Sequence, residues 1–172
     1  MLGKRNIFLV GPMGSGKTAV GRQLARALNC RFHDSDVEIE KHTGVDIPYI
    51  FEKEGEDGFR QREQETVEHL TRQEPIVLAT GGGAVMRAEN RRVLTERGTV
   101  VFLKTSVRQQ LERTRRSRNR PLLLNTDPRA RLEELLKVRE PLYTEIADIT
   151  VITDGRRVKE VVKEIVRELK ME

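Results

Sequence analysis

The run "GPMGSGKT", Gly11 to Thr18, sets three glycines, a lysine and a hydroxyl in the pattern G-x-x-x-x-G-K-[ST], directly behind the apolar stretch "NIFLV". Glycine permits backbone angles that turn successive N–H groups toward phosphate oxygens, and the positive end of a following helix points at the same spot. Lys17 adds a mobile charge for β and γ phosphates, and the Thr18 hydroxyl is a hard oxygen ligand suited to magnesium. The implied ligand is Mg-ATP or Mg-GTP. A chance glycine turn would not come with a strand pattern before it and a helix pattern after it. The loop identifies a nucleotide and leaves the acceptor open.

Other segments bear on the acceptor. "HDSD" places Asp34 and Asp36 at the carboxyl end of a candidate strand, where ligands of open α/β sheets bind. A phosphoryl transferase needs one acid to help hold the metal or its waters and another to take the proton of the acceptor hydroxyl. The two aspartates can divide those tasks; the alternative is that one of them only caps the helix of "VEIEKH". In "GFRQREQE", Arg60 and Glu63 share a helical face at i, i+3 spacing. Taken alone, that segment reads as a solvated charge pair, and with the others as an arginine oriented by its acid. "ATGGGAV" puts Gly81, Gly82 and Gly83 after another strand, an entropic cost that a plain connection does not need, and lets a ligand lie against backbone N–H groups.

Five arginines fall within positions 113 to 120, in an irregular stretch that runs to Asp127. Long irregular segments inside a compact domain are usually functional. An RNA-binding arm would need aromatic rings for base stacking, but the chain has no Trp and only 4% aromatic residues. A mobile lid over about 112–127, closing on ATP phosphates, fits better. His33, His42 and His69 have no spacing that suggests a metal site and read as surface or packing residues.

The elements that must position these groups follow from hydropathy. Apolar segments near 6–10, 31–33, 76–80, 100–103 and 149–152 alternate with longer amphipathic ones, the βαβ pattern of a parallel sheet covered by helices. "NIFLV", "IVLAT" and "VVFL" lack strict alternation, as central strands buried on both faces do. Val20, Leu24 and Leu28 form one helical stripe, and Val158, Val161, Val162, Ile165 and Leu169 another. Asp127 and Pro128 read as a cap and a first-turn proline, opening a helix through Leu132, Leu135 and Leu136. Proline disfavours a helical residue before it, so this helix is expected to end near Pro141 and to leave Arg139 at its end.

At 172 residues the chain fits one α/β domain, 1–172. No apolar run approaches the roughly 20 residues of a membrane helix, and the basic, apolar N-terminus leads into a glycine loop rather than a cleavage site, so it reads as a buried strand. A single cysteine, Cys30, without a pairing partner or CxxC spacing points to a reducing cytoplasm and a packing role. The surplus of 32 basic over 27 acidic residues, net +5, could serve nucleic acid or small anions alike.

Taken together, "GPMGSGKT", "DSD", "GFRQRE", "TGGG", "RNRPLL" and "REPLY", in this order, resemble the shikimate kinase family across nearly the whole chain. The resemblance implies ATP-dependent phosphorylation of the 3-hydroxyl of shikimate, on the way to chorismate and the aromatic amino acids. It implies a P-loop kinase fold of three layers, a five-stranded parallel sheet in order 2-3-1-4-5 with helices on both faces. By the family motifs, Gly14, Ser15, Gly16, Lys17, Thr18 and Ala19 would bind ATP. Arg113 and Arg156 would lie by the adenine, and Arg120 would reach the transferring phosphate from the lid. Asp36 would act at the reacting hydroxyl, and Thr18 and Asp34 would serve Mg2+. Arg60, Arg139 and the Gly81, Gly82 and Gly83 backbone would hold shikimate. Many members carry alanine and serine where this loop has Ser15 and Thr18, a departure that keeps a magnesium-binding hydroxyl. The expected partners are ATP and shikimate, with no nucleic acid and no membrane, and a monomer. The alternatives are a gluconate or nucleoside monophosphate kinase, or a nucleotide-dependent RNA-binding switch.

Overall fold

Five strands form one parallel sheet in the order β2-β3-β1-β4-β5: β1 (Asn6–Val10), β2 (Arg31–Asp34), β3 (Ile76–Ala79), β4 (Gly98–Lys104) and β5 (Ile149–Ile152). The computed structural model describes residues 6–115, 123 and 127–171. The expected strand order is the observed one; the expected bounds of β1 and β5 are the observed ones, and those of the other three strands agree to within two residues.

The pattern of the central strands has a direct cause. Leu9, Val77, Val101 and Leu103 face a core completed by Leu24 of α1 (Lys17–Leu28) and by Val161 and Ile165 of α7 (Val158–Met171). Their neighbours Phe8, Val10, Leu78, Val100 and Phe102 face the opposite core. That second core is closed by Val67 of α3 (Ile47–Leu70), Val93 and Leu94 of α4 (Ala88–Arg97), and Tyr143 of α6 (Pro128–Ile146). Each central strand is buried on both sides, so both sets of alternating residues must be apolar. Cys30 packs at the margin of the first core.

A smaller core of Ile39, Ile47, Ile50 and Phe59 joins α2 (Ser35–Thr43) to α3. α3 is two helical segments that meet at Gly55, where φ is 72° and ψ −179°. The chain thereby turns before it presents Arg60 and Glu63 to the sheet edge.

α6 departs from expectation. Asp127 does cap it, its side chain accepting from the Arg129 N–H at 3.1 Å, with Pro128 in the first turn. The helix, however, runs through Pro141 to Ile146. Proline removes one backbone hydrogen bond and crowds the preceding turn at a cost of about 3 kcal/mol. Here Pro141 and Lys137 are both exposed, so the break in the hydrogen-bond ladder lies on the solvent side of the helix. Beyond the proline, Tyr143 and Ile146 are buried and Leu142 is half-buried against the second core, and that burial outweighs the local preference. Arg139 consequently lies inside the helix, buried, rather than at its end.

The expected lid over 112–127 begins inside α5 (Val107–Thr114), which contains Arg113. Arg116, Arg118 and Arg120 lie outside the described residues.

Candidate active site

The carboxyl edge of the sheet collects the residues singled out above. The loop after β1 enters α1 through Gly16, and Gly14 and Gly16 have φ values of 80° and 90°, a region that side-chain-bearing residues rarely adopt. Lys17 Nζ donates to the carbonyls of Gly11 and Pro12 at 2.7 and 2.8 Å and to Ser15 Oγ at 3.3 Å. The ammonium thus sits over the loop, one short movement from any phosphate cradled there. Ser15 is buried within the turn.

Across the loop, the Thr18 hydroxyl donates to Asp34 Oδ2 at 2.7 Å. The other oxygen of Asp34 accepts from the N–H groups of Asp36 and Val37, at 2.9 and 3.2 Å. Asp34 therefore caps α2 and still offers an oxygen to the cleft; it does not cap alone. The cleft has a volume of about 410 Å³, and Lys17, Thr18, Ala19, Asp34, Asp36 and Gly81 are among its walls. The paired hydroxyl and carboxylate of Thr18 and Asp34 are hard oxygen donors of the kind Mg2+ takes, and two protein ligands suffice when phosphates and water complete the shell.

The glycine triplet is positioned from three sides. Thr80 Oγ1 and N–H both donate to the Leu9 carbonyl, at 2.9 and 3.1 Å. The Gly81 N–H donates to Ser35 Oγ at 3.0 Å, and the Tyr143 hydroxyl donates to the Gly82 carbonyl. A Cβ on Gly81 would stand 2.6 Å from Glu63 Oε2 and 2.9 Å from Asp36 Oδ1, and one on Gly83 would collide with the Arg60 guanidinium. The glycines are needed here for close approach.

Behind the triplet lie Arg60, Glu63 and Arg139, which are all of the buried charged side chains among the described residues. Arg60 Nη1 donates to Glu63 Oε1 at 2.8 Å, so the pair that its own segment reads as solvated is enclosed. The difference comes from remote residues: the triplet's missing side chains make room for the guanidinium. Glu63 Oε2 is buried with no hydrogen-bond partner among the described residues. Burial pushes the Glu63 carboxyl above the usual carboxylate range, against the pull of Arg60 and then Arg139. Burial also draws the Arg139 guanidinium below the ordinary arginine value. Two buried cations against one buried carboxylate leave an excess positive charge that an anionic ligand would satisfy.

Arg113 closes the other side of the loop, donating to the Gly14 carbonyl at 2.9 Å and to the Thr153 carbonyl at 3.1 Å. It links the phosphate loop to the turn after β5. Arg156 is on that turn, but its guanidinium is engaged by the Ile152 carbonyl, the Glu160 carbonyl and the Glu164 carboxylate. His33 has its Nδ1 3.5 Å from Glu38, His42 and His69 line a separate groove between α2 and α3, and no group of three metal-ligating side chains occurs among the described residues. No helix among them is long and apolar enough to cross a membrane. Ser35, Thr80 and Tyr143 hold the glycine triplet and its approach in place, and the sequence did not single them out. Ser35, Thr80 and Tyr143 sit inside the quoted "DSD", "TGGG" and "REPLY" segments, which was the only signal available.

Residues 13–170 match the family model described as shikimate kinase. The chain is 61% identical to a shikimate kinase of Thioalkalivibrio sulfidiphilus, over 96% of this chain and 87% of that one. It is 54% identical to shikimate kinase 1 of Escherichia coli over 98% of both. Among solved structures, shikimate kinase from Acinetobacter baumannii in complex with shikimate superposes with a TM-score of 0.96 at 50% identity, covering 98% of this chain and 94% of that one.

Proposed function

The chain belongs to the shikimate kinase family, and from that premise we propose how its residues divide the work. The reaction is transfer of the γ-phosphoryl group of ATP to the 3-hydroxyl of shikimate, giving shikimate 3-phosphate and ADP. The observation that supports the residue-level reading is the concentration of all buried charge among the described residues in Arg60, Glu63 and Arg139, directly behind the glycine triplet, whose Gly81 and Gly82 line the cleft shared with the phosphate loop.

Arg139 and Arg60 receive the shikimate carboxylate and ring hydroxyls, using the excess positive charge of the buried set. A guanidinium meets a carboxylate with two parallel hydrogen bonds, which fixes the ring as well as binding it. Asp36 accepts the proton of the 3-hydroxyl as its oxygen attacks the γ-phosphorus and the bond to ADP breaks. Lys17 and the N–H groups of Gly14, Ser15 and Gly16 hold the β and γ oxygens as charge shifts among them. Thr18 and Asp34 would hold Mg2+, which when bound neutralises phosphate charge. Arg113 borders the nucleotide, Arg156 supports the turn beside it, and Arg120, outside the described residues, is assigned from the family motif to the transferring phosphate. The protein is read as a cytoplasmic monomer of one domain that binds neither nucleic acid nor membrane.

An ADP-release assay with ATP and a panel of shikimate, gluconate, AMP and CMP tests the reading. Turnover with shikimate alone is expected. Turnover with gluconate or a nucleoside monophosphate, and none with shikimate, would overturn it, as would salt-sensitive RNA binding without turnover.

A further inference from the structure

Tyr143 has no role in the scheme above, yet it is the largest of the fully buried side chains among the described residues. Its ring packs on Phe102 with centroids 5.1 Å apart, which a phenylalanine could do equally well. The hydroxyl needs a separate reason, because a buried phenol must find a partner. It donates to the carbonyl oxygen of Gly82. The Arg139 guanidinium, one helical turn earlier on α6, lies against the same hydroxyl. Gly82 in turn touches the phosphate loop: a Cβ there would be 3.4 Å from Met13 N, 3.6 Å from Gly11 O and 3.6 Å from Arg139 Nη1. One oxygen therefore joins the arginine of α6 to the glycine triplet at the point where the triplet meets the loop. Burial pushes the phenol up to about 12, so it is a neutral donor through the neutral pH range.

We propose that the Tyr143 hydroxyl is a positioning group for the acceptor: by holding the Gly82 carbonyl and bracing Arg139, it fixes the guanidinium fork at the angle that receives the substrate carboxylate. This rests on the assignment of the carboxylate to Arg139. An arginine free to swing in the same cavity keeps its charge but loses the two-bond geometry, so specificity for the acid suffers more than nucleotide binding.

The test compares shikimate with its uncharged methyl ester as acceptors for the native enzyme, Tyr143→Phe, Phe102→Leu and Arg139→Ala. Tyr143→Phe should lower kcat/KM for shikimate by roughly five- to tenfold, cut the acid-to-ester preference by a similar factor, and leave KM for ATP nearly unchanged. Phe102→Leu disturbs the same ring packing and should lower Tm while keeping the native preference. An unchanged preference in Tyr143→Phe overturns the proposal, and so does an equal loss in Phe102→Leu, which would make packing the cause. Arg139→Ala reports on the premise separately: if it keeps the native preference, the carboxylate assignment fails first. Should Tyr143→Phe not fold, 3-fluorotyrosine can label the chain's two tyrosines, with the signals assigned by Tyr49→Phe. The 19F resonance of Tyr143 should move on addition of shikimate and much less with the ester; equal shifts contradict the proposal.

Discussion

The phosphate loop and the proposed acceptor cradle, whose Gly81 and Gly82 reach the same cleft, use glycine for opposite reasons. Gly16 has φ 90° with open space around it, the nearest atom to an added Cβ being a Val20 methyl at 3.9 Å. Gly81 has no left-handed angle, but an added Cβ would strike Glu63 and Asp36. The first is glycine for its conformation, the second for its size. The same contrast extends to the charges. Lys17 is half-exposed and held by loop carbonyls, whereas Arg60 and Arg139 are buried in space that the distant glycine triplet leaves open. On the proposed assignment, the nucleotide phosphates are met by local backbone, and an acceptor that must be told from other small alcohols is met by a preformed buried charge pattern.

The sharpest way to break this comparison is Lys17→Ala. Removing a charge aimed at the developing transition state typically costs about 2.7 to 4 kcal/mol, so kcat should fall by roughly a hundred- to a thousandfold. Near-normal turnover by a folded variant, measured as ADP release, would remove Lys17 from the chemistry. Next is Arg139→Ala, expected to lower kcat/KM for shikimate by roughly ten- to 150-fold from hydrogen bonds to charged groups of about 1.5 to 3 kcal/mol. Arg139→Lys should recover little of that, because a point charge cannot make two parallel bonds. Full recovery would show that charge alone suffices.

The two glycines sharpen the comparison with a smaller effect. Gly16→Ala should weaken ATP binding by about tenfold through backbone strain of roughly 1 to 2 kcal/mol, leaving shikimate binding intact. Gly81→Ala should do the reverse, through overpacking of about 1 to 3 kcal/mol. Isothermal titration with each ligand reads both, and a variant that loses both ligands equally would blur the division. The smallest effect belongs to a charge outside both regions. Glu68 is held at about 2 by hydrogen bonds from Arg97 and then Arg72. A carboxyl depressed in the folded state contributes stability above its ordinary value of 4.5, and loses that contribution as pH falls through about 2. Thermal unfolding of the native protein and Glu68→Gln should therefore converge across that acid window, with kcat at neutral pH unchanged and only a modest Tm gap, since the pair is exposed. A gap that widens on acidification would contradict the assignment.

How much of this was legible in the sequence follows the same line. The phosphate loop is eight consecutive residues between a strand and a helix, so its geometry can be read locally. The central strands were legible because burial on both faces leaves a mark on every residue. Arg139 was misplaced because the local rule for Pro141 ignored what Tyr143 and Ile146 gain by burial after it. The Arg60 and Glu63 pair looked solvated because nothing in its helix shows that Gly83, well over a dozen residues further along the chain, clears space for the Arg60 guanidinium. Ser35 and Tyr143 stood in view, but a serine between two aspartates and a tyrosine after a proline have no chemistry until the fold brings Gly81 and Gly82 to them.

The central claim is that one cleft holds two separable half-sites, and the most direct test is a crossed titration of Lys17→Ala and Arg139→Ala with ATP and with shikimate. Lys17→Ala should lose nucleotide affinity and keep shikimate affinity, and Arg139→Ala should lose shikimate affinity and keep that for ATP. If Arg139→Ala lost ATP binding as severely as shikimate binding, the buried arginine would be a support for the whole cleft and the two half-sites would not be distinct.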